Sequence, residues 1–150
     1  MTHLSHTWKQ RGSISLWRYT ENERNFPGWH LSADGAGCDS LAALVDSLAK
    51  DGVPVSRSVE LTPPTPALLA IPNNRRGTAK YVAPFKLRVS FVSDPSSWLF
   101  PEHMEPAELS FGHDWLVPLV KGINGIPLGQ GDYCIGSDLP LWFWWRTGTV

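Results

Sequence analysis

The chain has 150 residues, 42% of them hydrophobic and 18% charged, with 13 basic residues against 14 acidic ones. That length suits one domain with a core of its own, and a net charge of −1 without a basic stripe argues against a nucleic-acid binder. No segment reaches the roughly 18 apolar residues of a transmembrane helix, and Met1 to Ser15 lacks the apolar stretch of a signal peptide.

Residues 1–11 read as a loose arm. Ser13 to Tyr19 alternates as a strand, the turn Asn25-Phe26-Pro27-Gly28 follows, and Trp29 to Ala33 is a second short strand, so 13–33 predicts a hairpin. Asp34-Gly35-Ala36-Gly37 connects to the clearest helix, with Asp39 or Ser40 as its N-cap. Leu41, Leu44, Val45 and Leu48 recur at helical spacing, and Gly52 and Pro54 stop the element. Val55 to Leu61 alternates as a half-buried strand that ends at the proline cluster 62–66. Ala67 to Ile71 reads as one helical turn and Pro72 to Lys80 as a polar loop.

Tyr81 to Val92 reads as the longest strand, with Tyr81, Ala83, Phe85, Leu87, Val89 and Phe91 on the core side. Ser93 to Pro106 is irregular but carries the apolar triplet Trp98-Leu99-Phe100. Ala107 to Phe111 follows as a short strand. Asp114 is placed to cap a helix bearing Leu116, Leu119, Val120 and Ile123, which Pro118 and Gly122 weaken. Asp132 to Ile135 and Leu141 to Arg146 make a closing hairpin. The expected fold is α+β: a single domain over 1–150, with a mostly antiparallel sheet of five to seven strands and two helices on one face.

Leu141-Trp142-Phe143-Trp144-Trp145 carries three of the chain's 8 tryptophans. In a strand Leu141, Phe143 and Trp145 share one face, and Trp142 and Trp144 share the other. Two helices cover one sheet face only, so Trp142 and Trp144 need another cover. The Trp98-Leu99-Phe100 loop, a second protein chain and a ligand are the three alternatives.

The chemical motifs are sparse. Gly35-Ala36-Gly37 before a helix has part of a dinucleotide fingerprint, but Ser40 stands where its third glycine belongs, and no cofactor is expected. The five histidines show no metal-ligand spacing, so no metal is expected. Cys38 near a helix N-terminus is a candidate thiolate, with His30 or His113 as base and Asp34 or Asp114 to orient it. The competing reading of Cys38 is an inert buried thiol. Asp132, beside Tyr133 and just before the aromatic strand, reads either as a turn residue or as the rim of a pocket floored by Trp142 or Trp144. Lys86, Arg88 and Ser90, with Arg57 and Glu60, read as a charged sheet face.

Two cysteines without an export signal read as free thiols in a reducing compartment, hence the cytoplasm. The leading expectation is a small non-enzymatic protein-interaction module, of the immunity type by loose analogy, contacting a protein partner or a second copy of itself. Its contact residues are Trp98, Asp132, Tyr133, Trp142 and Trp144, with no membrane and no nucleic acid involved. The alternative is a small enzyme, or a domain for a sugar or another small molecule, with a pocket near Cys38 and Asp132.

Overall fold

Two sheets share one core, and the chain passes between them four times, one of them through Pro84. In the computed structural model, residues 7–21, 26–51, 55–72, 78–101, 105–129, 133–136 and 140–145 are described. The elements in chain order are β1 (Ile14–Tyr19), β2 (Trp29–Ala33), α1 (Gly35–Asp51), β3 (Val55–Glu60), α2 (Pro66–Ala70), β4 (Tyr81–Val82), β5 (Lys86–Phe91), β6 (Trp98–Leu99), β7 (Ala107–Phe111), α3 (Leu116–Gly125), β8 (Tyr133–Ile135) and β9 (Leu141–Phe143). Short 3-10 turns at His113–Trp115 and Ile126–Leu128 flank α3.

The α+β class holds, but the strands form two sheets instead of one, in the orders β4-β1-β2-β9-β8 and β3-β5-β7-β6. The hairpins β1·β2 and β8·β9 are antiparallel as the alternation predicts. Two pairings, β2·β9 and β5·β7, are parallel. The expected long strand 81–92 is two strands in different sheets, because Ala83-Pro84-Phe85 carries the chain from one to the other. Proline has no N–H for a ladder, which makes Pro84 a natural place to leave one. Phe85, expected in the core, is exposed there.

α1 starts earlier than Asp39. The Asp34 carboxylate accepts the Gly37 amide at 2.7 Å through Oδ1, so Asp34 is the cap. The same oxygen accepts the Ser13 amide at 3.0 Å and ties the helix start to the entry of β1. Asp114 does not cap α3: it lies inside the 3-10 turn, and no side chain caps either element. Of the expected loose arm, residues 8–11 are anchored. The Trp8 indole donates to the Ser40 carbonyl, the Ser40 hydroxyl donates to the Arg11 carbonyl, and Gln10 exchanges two hydrogen bonds with the Glu60 backbone.

The main core joins the inner faces of both sheets to α1 and α3. Ile14, Leu16, Leu31, Leu44, Leu48, Val89, Leu109, Phe111, Leu119, Ile123, Leu141 and Phe143 all lie within it. Side chains of this size stabilise by about 1.5–3 kcal/mol each when fully buried. A second cluster sits on the opposite face of the five-stranded sheet, where Leu68 and Leu69 of α2 cover Trp17, Tyr19 and Trp144. On the four-stranded sheet, Ser58, Glu60, Lys86 and Arg88 face solvent, as alternation predicts. Arg57 turns to the other side, its guanidinium 5.6 Å from the Trp8 ring.

Candidate functional site

The aromatic hairpin is inserted into its sheet. β9 runs between β2 and β8, pairing His30 with Trp142 on one side and Cys134 with Trp142 on the other. Regular strand ends at Phe143. Leu141 and Phe143 therefore point into the main core, as the alternation predicts, while Trp144 and Trp145 lie just past the strand. Trp145 does not join Leu141 and Phe143. It packs edge-on against Trp144, ring centroids 6.1 Å apart, in the second cluster.

Trp144 is buried and makes a specific bond. Its indole Nε1 donates to Nδ1 of His30 at 2.9 Å. An indole N–H can only donate, so Nδ1 carries no proton and Nε2 of the neutral ring carries it. Nε2 then donates to the Phe26 carbonyl at 3.1 Å. Trp17 stacks on the imidazole at 5.6 Å and Tyr19 meets it edge-on at 4.9 Å. Burial in this cage pushes His30 down to about 3, the Phe26 bond working weakly the other way. Burial also pushes the Tyr19 phenol up to about 12, and its hydroxyl donates to the Leu69 carbonyl at 2.7 Å. The chemistry of this cluster is that of a locked, uncharged imidazole. A general base ready near neutral pH needs a different setting.

Trp142 behaves differently from Trp144. It is half-buried, stacks on Trp144 at 6.1 Å, and takes the Phe26 ring edge-on at 4.9 Å. Its indole N–H donates to the Pro27 carbonyl at 2.8 Å. The loop that carries Phe26 and Pro27 and the lid α2 thus supply the cover that local pattern left open. The Trp98 segment does not cover this face. Trp98 belongs to β6, pairs with Phe111, and packs against Trp115 at 5.1 Å. Tyr133 packs on Phe143 at 5.7 Å and takes the Lys121 ammonium at 5.5 Å over its ring. Asp132 lies outside the described residues. Trp142 and Trp144 are therefore brought together on the outer face, whereas Tyr133 lies on the core face with Phe143 and α3, and Trp98 stands apart from all three.

The thiol constellation is not assembled. Cys38 is buried, with its sulfur 3.6 Å from the Ala33 carbonyl, and His113 and Asp114 are exposed in the turn before α3. Cys134 is half-buried beside Trp142, and burial pushes its thiol up. Among the described residues no three His, Cys, Asp or Glu side chains are grouped to hold a metal. No helix among them is long and apolar enough to cross a membrane. The cavity inside the main core is about 10 Å³ and wholly apolar, lined by Leu16, Leu31, Val45, Val89 and Leu119 among others.

Phe26 and the bonding role of His30 escaped the sequence reading. Phe26 is masked by its turn setting, and His30 by its place in a short strand.

No protein-family model matches this chain, and neither a curated protein nor a solved structure matches it.

Proposed function

We propose that this chain is a protein-interaction module whose contact surface is the outer side of the terminal hairpin, centred on Trp142. The observation that carries this reading is the division of labour between the two outward tryptophans. Trp144 is buried and bonded to His30, and Trp142 is stacked on it yet half-exposed, its indole already fixed to Pro27. A large amphipathic ring held rigidly at a surface loses little entropy on docking, which is the character of an interface anchor. Half-buried Phe26 meets the Trp142 ring edge-on, and half-buried Cys134 lies opposite it in the β8·β9 ladder.

The neighbouring strand adds a second element. Among the described residues β8 ends its sheet, so the outward backbone groups of Tyr133–Ile135 can accept another strand. A second copy of the chain, placing its own β8 antiparallel to this one, continues the sheet across a two-fold axis and joins the two outer faces, with Trp142 one strand in from the seam in each copy.

Sedimentation equilibrium tests this reading. The expected result is a concentration-dependent dimer that becomes monomeric in Trp142→Ser and in Cys134→Glu. The second variant puts a charge beside Trp142 without removing the ring. A chain that stays monomeric throughout, or a dimer indifferent to both variants, overturns it.

A further inference from the structure

β2 and β9 run parallel and end side by side, and α1 leads away from the end of β2. In α/β sheets the space beyond the carboxyl ends of such strands is where ligands are held. Here that space is a cleft of about 310 Å³ lined by Asp34, Gly35, Ile126, Pro127, Gly129 and Trp145. Its size lies at the small end of ligand pockets.

The lining carries complementary chemistry. Oδ1 of Asp34 is occupied by the amides of Ser13 and Gly37, which fixes the carboxylate, while no described residue donates to Oδ2. The amides of Gly35 and Ala36 open α1 and have no partner within the helix. Trp145, half-exposed and held edge-on by Trp144, supplies a flat apolar wall. A Cβ built on Gly35 or on Gly129 meets nothing within 4 Å, so both glycines border open space.

These features disfavour a ligand that carries a single charge. An anion meets the Asp34 carboxylate, and a cation meets the positive end of α1. A neutral hydroxyl both donates to the carboxylate and accepts from the amides, and the C–H face of a sugar ring matches an indole face. We infer that the cleft between Asp34, Gly35 and Trp145 is a binding site for a single pyranose ring. This inference stands apart from the protein-contact reading, because Trp142 does not line the cleft.

An NMR titration of the ¹⁵N-labelled chain with the methyl glycosides of glucose, galactose, mannose and N-acetylglucosamine tests it, with propylammonium and inorganic phosphate as the charged comparisons. The expected result is saturable shifts of the Gly35 and Ala36 amides and the Trp145 indole for at least one glycoside at millimolar concentration. Trp145→Ala weakens that binding by about tenfold or more. Gly35→Leu fills the cleft and abolishes it. Leucine is a better helix former than glycine, so Gly35→Leu retains the fold and its loss of binding reports the cleft itself. The inference is overturned if no glycoside gives saturable shifts, if propylammonium or phosphate binds there more tightly, or if Gly35→Leu binds as the wild type does.

Discussion

The indole of Trp144 and the imidazole of His30 are joined by a 2.9 Å hydrogen bond between residues 114 positions apart. That one bond sets the tautomer of the histidine, buries the end of the aromatic run, and connects the last described segment to the first hairpin. Substitution by Trp144→Phe keeps an aromatic ring but removes the donor, leaving Nδ1 of His30 buried and unpaired. The expected cost is about 1–3 kcal/mol of unfolding free energy, read from urea denaturation.

The same histidine makes stability depend on pH in a defined direction. Its ordinary value of 6.5 is pushed down to about 3 by burial, so in the window between them the unfolded chain binds a proton that the folded chain refuses. Stability attributable to His30 is complete above about pH 6.5 and falls as the pH drops toward 3. The slope from this one group approaches about 1.4 kcal/mol per pH unit. Urea midpoints collected from neutral to acid pH should show a shallower slope for His30→Phe than for the wild type. Equal slopes would remove the histidine from the account.

Gly122 sits in α3 directly over the Phe143 ring, and a Cβ there lies 2.5 Å from Cε1. In an open helix, alanine in place of glycine gains up to about 1 kcal/mol. Here Phe143 is buried and held by Tyr133, so the ring has little room to yield. Gly122→Ala is expected to destabilise by about 1–3 kcal/mol. A raised melting temperature would contradict this packing.

The Asp34 cap can be separated from its charge. Asp34→Ala loses both bonds made by Oδ1 and is expected to cost about 1–2 kcal/mol. Asp34→Asn keeps an acceptor oxygen and should retain most of that stability, with calorimetry distinguishing the two.

The cysteines give a chemical check. Cys38 is buried, and burial holds the Cys134 thiol above its usual range. Both should alkylate slowly at neutral pH, with Cys134 the faster because it is only half-buried. Iodoacetamide labelling followed by mass spectrometry reads this directly, and a fast Cys38 would revive it as a nucleophile.

Local pattern carried a good part of the architecture. The hairpin of β1 and β2, the apolar stripe of α1, the short strand β7 and the closing hairpin all follow from alternation or helical spacing, because each is a relation between near neighbours. What escaped is non-local. Nothing in Trp29–Ala33 or Leu141–Phe143 announces that they pair in parallel, and the crossing at Pro84 looks like one strand because its period of two continues across it. The Asp34 cap was missed because glycines are poor helix formers, and only the close approach of the Ser13 backbone explains Gly37 at that turn. At the site, the shared face of Trp142 and Trp144 was legible. Their cover was not, since α2 has five residues and a weak local signal.

The position of β9 has a consequence for how the molecule is made. A strand from residues 141–143 lies in the interior of its sheet, so the β4-β1-β2 half faces a gap until that segment has been synthesised. During translation the exposed side of β2 remains an open template, and the burial of His30 must wait for Trp144. Completion of this sheet is thus a late, long-range event, the kind of closure that slows folding and that a nascent chain holds open longest.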